Sequence, residues 1–236
     1  MDRAIFERFP GLNLGLVTAR GVDNRGESQA ILDLIQDTQK EIRSRFESQT
    51  LSAQPRIQSW RQAYSAFGAK PKKYKSSVES LYRMALKGFP WTSINKLVDI
   101  YNCISLKHML PIGGDDLDKV EGDMLLTFAN GDELFTPLNS EMSESVKPGE
   151  VIYRDDRDVL CRRWNWRECD KTKMTDNTQN ALLVVEGLVP VTKEDINQAV
   201  AELSELLKRV CGGRIQGHIL DSSSFRLNIE AADVSD

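Results

Sequence analysis

Histidine and cysteine are scarce in this chain, which has two histidines and four cysteines among 236 residues. No two cysteines have a C-x-x-C spacing, so the pattern of a zinc knuckle is missing. His108 and His218 do not stand in a recognisable nucleophile–histidine motif. A Walker loop, a G-x-G-x-x-G turn, an H-E-x-x-H pair and a G-x-S-x-G elbow are also missing. These absences argue against the common nucleotide, zinc-peptidase and serine-hydrolase chemistries, and they predict neither a metal nor another cofactor.

Long apolar runs are absent as well. The run Ala181–Val185 is far shorter than the ~20 residues that a membrane-spanning helix requires. The first residues, MDRAIFERFPGLNLG, carry charges where a signal peptide would be apolar,. The four scattered cysteines are typical of free, mostly buried thiols in a reducing compartment. We therefore expect a cytoplasmic protein that does not span a membrane.

The order of the predicted elements indicates the fold class. Apolar spacings of three and four predict helices at 28–46, 55–68, 76–87, 93–109 and, after a capping box at 192–195, up to 211. Short runs between Gly, Asn and Pro residues predict strands at 12–22, 124–129, 133–136, 151–154, 159–163, 181–191, 215–220 and 224–229. Asn130-Gly131 predicts a hairpin, and the tail Glu230–Asp236 is expected to fray. Helices that mostly precede strands favour an α+β fold, and the length suits one large domain or one domain with a small appendage.

A local basic segment stands out from an acidic background. The chain has 31 basic and 35 acidic residues, a net charge of −4, so contact with a nucleic acid must come from a patch,. Residues 55–78 contain no acid, and Tyr74 lies within their lysine-rich part, where ammonium groups and a ring could meet phosphates and a base. The alternative is a solvated lysine loop. The basic residues of the segment are Arg56, Arg61, Lys70, Lys72, Lys73 and Lys75.

Two other patterns point to a polar site. Asn95, Asp99 and Asn102 recur at i, i+4 and i+7, so they line one face of the predicted helix at 93–109. They are either the wall of a polar ligand pocket or buried side chains that bond neighbouring loops. In the segment 161–167, CRRWNWR, an extended backbone would put Arg162, Trp164 and Trp166 on one face. That segment suits base stacking and phosphate binding, or an edge strand with its tryptophans packed inward.

Several motifs at conserved spacing resemble one family, the B3/B4 domain of the phenylalanyl-tRNA synthetase β subunit. The resemblance is closer still to the freestanding B3/B4 proteins, and it covers residues 55–188. The motifs are N-K-L-V-D-I-Y-N at 95–102, L-P-I-G-G-D-D-L at 110–117, Gly122, G-D-E-L-F-T-P-L-N at 131–139 and Glu141. The freestanding proteins also share Trp60-Arg61, Phe67-Gly68, K-P-K-K-Y at 70–74, S-x-E-x-L at 77–81 and R-R-W-N at 162–165.

The resemblance implies a fold and a set of site residues. It implies a single B3/B4-like domain over 1–236, with a PheT/TilS-like layered β-sandwich of unusual topology and flanking helices. In the synthetase this domain hydrolyses the ester of tyrosine wrongly attached to the phenylalanine tRNA. Glu141 stands where the synthetase has a glutamate that recognises the tyrosine hydroxyl, and Gly113 stands where it has a histidine. The implied substrate pocket is Asn95, Asp99, Asn102, Gly113, Glu141, Arg162, Arg163 and Trp164, and the predicted RNA-binding residues are Lys70, Lys72, Lys73, Tyr74 and Lys75.

Two functions follow from this resemblance. The first is an RNA-linked hydrolase that removes the amino acid from mischarged aminoacyl-tRNA in trans. Ester hydrolysis of this kind needs only a positioned water and donors for the developing oxyanion, so no catalytic residue is assigned. The second is a non-catalytic module on the same fold that binds tRNA, an amino acid or a protein.

Overall fold

The computed structural model describes residues 1–229, in which most helices precede most strands. The helices are α1 (Arg3–Arg8), α2 (Gln29–Arg45), α3 (Pro55–Ala66), α4 (Ser77–Lys87), α5 (Lys96–His108) and α6 (Lys193–Cys211). The strands are β1 (Asn13–Arg20), β2 (Ile112–Asp116), β3 (Leu125–Phe128), β4 (Leu134–Phe135), β5 (Glu144–Ser145), β6 (Val151–Arg154), β7 (Val159–Arg162), β8 (Arg167–Glu168), β9 (Ala181–Gly187) and β10 (Arg214–Leu220). This arrangement confirms the predicted α+β class. No helix in the described part is long and apolar enough to cross a membrane.

The first sheet has four antiparallel strands in the order β10, β1, β9, β2. Every residue of β9 is buried, as expected for a strand that is covered on both faces,. Helix α6 covers one face closely, because a Cβ added to Gly15 of β1 would lie 2.2 Å from the side chain of Val200,. Side chains alternate along a strand, so Val184 and Glu186 of β9 point to the opposite face. That face is turned towards a second sheet.

The second sheet has the order β3, β6, β7, β8, and β4 and β5 form a short separate ribbon. The predicted hairpin at Asn130-Gly131 is wrong, because β3 pairs with β6 and β4 pairs with β5. The amide groups of Asn130 and Gly131 instead donate to the carboxylate of Glu133, both at 2.9 Å. The turn at Asn130-Gly131 is therefore local. The strands on either side of it pair with different partners, and Leu126 of β3 and Phe135 of β4 are buried in different clusters.

Helix boundaries follow the capping residues. Helix α5 begins at Lys96, three residues after the predicted start at Ser93, because the Asn95 side chain accepts from the Val98 amide and serves as the N-cap,. The predicted capping box of α6 is confirmed, with Thr192 and Asp195 each accepting from the other's backbone,. The predicted strand at 224–229 is wrong, since no strand forms there. The predicted fraying of Glu230–Asp236 lies outside the described residues.

The main core gathers around buried aromatic rings. The Trp164 ring lies 4.9 Å from that of Trp60 in α3 and 4.8 Å from that of Phe9, both with edge-to-face geometry,. Trp60 and Trp164 are both almost fully buried. The segment that carries Trp164 is therefore fixed from the helical side as well as from the sheets. The four cysteines are all buried and free, as predicted: Cys103, Cys161, Cys169 and Cys211.

Candidate functional site

A small cavity lies between the two four-stranded sheets. Its volume is about 20 Å³, enough for one water molecule. The glycine pair of β2 contributes to this space, because a Cβ added to Gly113 would lie 2.8 Å from Glu168 Oε1. A Cβ on Gly114 would lie 2.4 Å from Leu183 Cδ2 and 2.8 Å from the Leu182 carbonyl oxygen. The lining residues are Gly113, Gly114, Asp115, Tyr153, Cys161, Trp164, Asn165, Glu168, Val184 and Glu186.

Glu186 is a buried carboxylate at the centre of this cavity. Its Oε1 accepts from the Tyr153 hydroxyl at 2.5 Å and from Trp164 Nε1 at 2.8 Å, and its Oε2 accepts from the Asn165 amide. Burial disfavours the charged form and raises the pKa of Glu186 to about 7, although these donors favour the carboxylate,. Glu186 is therefore able to exchange a proton near neutral pH.

Two more acidic side chains face the same space. Burial, together with the charges of Asp155 and Asp116, raises the pKa of Asp115 to about 6, and the Thr172 hydroxyl donates to Asp115. Burial and the charge of Asp115 hold the pKa of Glu168 well above its usual range. The cavity thus concentrates three carboxyl groups that favour protons more than exposed ones do.

Cys161 is the cysteine that lines this cavity, but its thiol is poorly suited to attack. Burial, and then the charge of Glu168, hold the pKa of the Cys161 thiol well above its usual range. Because the thiolate is the reactive form, this thiol stays inert near neutral pH. A nucleophile in this cavity would therefore be a water molecule rather than the Cys161 thiol. Among residues 1–229, no group of three or more His, Cys, Asp or Glu side chains is arranged to hold a metal ion.

The segment at 161–167 does not form one extended strand, so the prediction that Arg162, Trp164 and Trp166 share one face of a strand is wrong. β7 ends at Arg162, β8 begins at Arg167, and the register pairs these two residues across a tight turn. Arg163 and Trp164 both adopt left-handed backbone conformations, with φ of 51° and 68°,. The turn directs the Trp164 indole into the protein, where it meets Glu186.

Two of the predicted pocket residues, Gly113 and Trp164, line this cavity. The structure does not bring Asn95, Asp99 or Asn102 into its lining. Asn95 caps α5 and donates to the Met174 carbonyl, and Asn102 is half-buried. Asn95 therefore bonds a neighbouring loop, which is the second of the two interpretations of the polar stripe, and Asp99 does the same.

Asp99 organises the loop that precedes α5. Its Oδ1 accepts from Trp91 Nε1 at 3.0 Å and from the Ile94 amide at 3.3 Å, and its Oδ2 accepts from the Ser93 hydroxyl. The residue is 1% exposed. All of these donors are local, so the carboxylate acts on the loop and not on the cavity.

The remaining predicted pocket residues lie elsewhere. Arg162 is paired with Glu150 at 2.8 Å and with Glu144 at 2.5 Å. Arg163 is paired with Glu150 at 3.1 Å, and Glu141 is exposed in the loop between β4 and β5. The expected meeting of Glu141 with the arginines and the stripe does not occur in this cavity, because acids of the β-rich half neutralise both guanidinium groups.

The basic segment loses two of its six charges to ion pairs. Arg56 pairs with Asp195 at 2.6 Å, and Arg61 pairs with the fully buried Glu79 at 3.0 Å. The lysines that remain lie between α3 and α4, in a segment that we call the lysine loop (residues 70–75). Lys70, Lys72 and Lys73 are exposed there, and Lys75 is half-buried. Tyr74 lies among them, and its ring contacts Trp166 at 4.9 Å. Their role in RNA binding stays a prediction.

Sequence reasoning missed most of the cavity. Glu186 had a signal, since it is the single charged residue in the apolar stretch 181–189, where a lone carboxylate requires partners,. Asp115 and Asn165 lay inside recognised motifs without an assigned role. Tyr153 and Glu168 had no local signal, because their proximity depends on sheet pairing.

The fold and cavity define an α+β protein with an acidic site between two antiparallel sheets. Residues 59–212 match the model of the B3/4 domain. This match spans well over half of the chain, and the chain belongs to the B3/4 domain family.

Two longer proteins are similar to this chain. The phenylalanine–tRNA ligase beta subunit of Fusobacterium nucleatum subsp. nucleatum is 22% identical over 151 residues, and the match covers 54% of this chain and 19% of that subunit. A crystal structure of an N-terminal fragment of the phenylalanyl-tRNA synthetase beta-subunit from Pyrococcus horikoshii is 14% identical, with a TM-score of 0.45. That match covers 90% of this chain and 48% of the fragment. The chain spans less than half the length of either protein.

We expect Asp99→Asn to destabilise the protein by about 1–3 kcal/mol, because one amide oxygen cannot replace two carboxylate oxygens that accept from three donors. Denaturant unfolding of the variant against the wild type measures this loss. Glu141→Gln, an exposed and nearly isosteric change, is the control and should leave stability unchanged. Wild-type stability in Asp99→Asn would contradict the loop-organising role.

We expect Glu186 to make stability depend on pH. Its pKa is raised on folding, so its contribution is complete below about pH 4.5 and is lost as the pH rises through about 7,. At ~1.36 kcal/mol per pKa unit, the advantage of wild type over Glu186→Gln should fall by roughly 3 kcal/mol across this interval. Denaturant unfolding at several pH values measures that difference.

The other titratable groups of the cavity stay in both proteins, and the change also removes the Glu186 charge that raises the pKa values of Tyr153, Cys161 and Glu168. These groups are Asp115 on β2, Tyr153 on β6, Cys161 on β7 and Glu168 on β8. Cys161→Ser is the control, since a thiol that stays neutral should leave the pH profile unchanged. Parallel profiles for wild type and Glu186→Gln would contradict the raised pKa.

Proposed function

We propose that this B3/4 protein binds aminoacyl-tRNA and hydrolyses the ester bond of a mischarged amino acid in trans, with residues 1–236 acting as one domain. The observation that carries the proposal is the cavity between the sheets, which has room for one water molecule beside three carboxyl groups. The larger of the two buried clusters, which runs from Ile5 to Leu220, supports the single domain. The names of the two related proteins support an aminoacyl-tRNA as the substrate class.

Glu186 has the properties of a general base for such a step. A base works best when its pKa lies near the working pH, and the pKa of Glu186 is about 7,. In the proposed step, the water oxygen attacks the ester carbonyl while Glu186 accepts a water proton. The C–O bond to the ribose then breaks, and the ribose oxygen takes that proton. The products are a free amino acid and an uncharged tRNA.

The rest of the substrate stays outside the cavity in this proposal. A volume of about 20 Å³ is too small for an amino-acid side chain,. The ester is therefore presented at the cavity, and only the attacking water enters it. The lysines at 70, 72, 73 and 75 supply the contact with the phosphate backbone, since their ammonium groups lie outside the ion pairs that hold Arg56 and Arg61,.

The same small volume favours a second candidate, a non-catalytic module that binds tRNA through the lysine loop. In that case the cavity carboxyl groups serve only the packing of the two sheets. The two candidates share the RNA contact and differ in hydrolysis, so a deacylation assay separates them.

We expect the protein to deacylate at least one member of a panel of mischarged tRNAs, beginning with the tyrosyl ester of the phenylalanine tRNA. Glu186→Gln should lower the rate at least 100-fold, the lower end of the usual contribution of a general base. Cys161→Ser, a change in the same cavity, is the matched control and should keep the rate. Release of the labelled amino acid measures both.

One outcome of this assay contradicts the hydrolase, and another contradicts the assigned site. RNA binding without deacylation of any panel member, above the spontaneous rate, selects the binding module. Deacylation that survives Glu186→Gln removes the cavity as the site of hydrolysis.

We expect the quadruple change of Lys70, Lys72, Lys73 and Lys75 to Ala to weaken tRNA binding and to flatten its salt dependence. Each lost phosphate contact should reduce the slope of log affinity against log salt by roughly 0.7–0.9. Filter binding at several salt concentrations measures the slope. The control replaces four exposed lysines elsewhere, Lys40, Lys119, Lys193 and Lys208. An unchanged slope in the test variant would return the segment to a solvated lysine loop.

A further inference from the structure

One turn contacts both the lysine loop and the cavity. The turn is Arg163–Trp166, between β7 and β8. Its two end residues contact Tyr74, because the Arg163 guanidinium carbon lies 3.9 Å from the Tyr74 ring centre and the Trp166 ring lies 4.9 Å from it. Its two middle residues, Trp164 and Asn165, donate to Glu186. The loop and the cavity are therefore separated by a single layer of side chains.

The backbone of this turn is held against a steric preference. Arg163 and Trp164 have φ of 51° and 68°, a region that is strained for a bulky residue and persists only where surrounding contacts enforce it,. The Trp164 amide donates to the Val151 carbonyl at 2.6 Å. The Asn165 carbonyl accepts from the Ser77 amide at 3.1 Å, at the start of α4 and directly after the lysine loop. The contacts that hold the turn thus come from the second sheet, through Val151, and from the start of α4, through Ser77.

The stacking of Arg163 is its distinctive contribution. The guanidinium carbon lies 3.9 Å from the Tyr74 ring centre and 4.5 Å from the Trp166 ring centre, so it contacts both aromatic faces,. Arg163 also pairs with Glu150, but Arg162 pairs with the same carboxylate at 2.8 Å. If Arg163 is replaced, Glu150 therefore keeps Arg162 as its partner, whereas the contacts of Arg163 with the Tyr74 and Trp166 rings are lost.

We propose that Tyr74 and Arg163 are positioning residues for Glu186. Their stack holds the left-handed turn that brings Trp164 and Asn165 onto the carboxylate, and it links the lysine loop to the cavity. The identity of the partner as RNA rests on the proposed function, but the link itself does not. Because Tyr74 lies between Lys73 and Lys75, a partner that fixes these lysines also fixes the ring, and the link is reciprocal.

The indole proton of Trp164 reports on this link without any activity. We expect Tyr74→Ala to move the Trp164 indole resonance in a ¹H–¹⁵N spectrum, because the turn loses one side of its support. Tyr74→Phe keeps the ring and should keep the wild-type resonance. Phe89→Ala removes a ring that is 56% exposed on another loop, and it controls for the loss of an aromatic side chain.

A kinetic comparison adds the functional arm. Tyr74→Ala should lower kcat for deacylation about tenfold with little change in KM, whereas Lys72→Ala should raise KM. Arg163→Lys keeps the charge but loses the planar group, so it should resemble Tyr74→Ala. If Arg163→Lys does not fold, the pair Tyr74→Ala and Tyr74→Phe decides alone.

The outcomes separate this inference from the proposed function. A Trp164 resonance that stays at its wild-type position in Tyr74→Ala overturns the positioning role, and so does a shift of equal size in Tyr74→Phe. A shift in Tyr74→Ala without deacylation by the wild type supports the positioning role and contradicts the hydrolase.

Discussion

The carboxylate of Glu186 imposes the constraint on which much of this structure depends. It lies in β9, a strand whose residues are all buried, so its oxygens cannot be solvated by bulk water,. Tyr153 on β6 and the pair Trp164 and Asn165 must therefore reach it. These donors tie the second sheet to the first, and Trp164 carries the link onward to Trp60 in α3.

The glycine–aspartate motif on β2 combines two roles within four residues. Gly113 leaves space in front of Glu168 in the cavity, whereas Gly114 packs closely against Leu183 on the other face of the sheet,. Asp115 and Asp116 accept from the hydroxyls of Thr172 and Thr178, respectively, and so fasten the loop that leads into β9. Gly113 thus leaves part of the cavity open, and the two aspartates hold the loop before β9 in place.

Ion pairs, rather than the overall composition, decide where unpaired positive charge lies on this protein. Arg56, Arg61, Arg162 and Arg163 all meet carboxylates, and two of these carboxylates, Glu79 and Glu150, are buried. The lysine loop differs, since its exposed ammonium groups surround a tyrosine ring that is packed on the protein.

The amino-acid sequence by itself determined the features that depend on neighbours along the chain. The helix periodicities, the capping box at Thr192 and Asp195, the α+β order and the family motifs were all readable, because caps and amphipathic faces act over three or four residues. Tertiary structure alone decided the strand partners, the turn at Arg163 and Trp164 and the role of Asp99. It also assembled the cavity, because Asp115, Tyr153, Glu168 and Glu186 stand on four different strands, and only sheet pairing brings them together,.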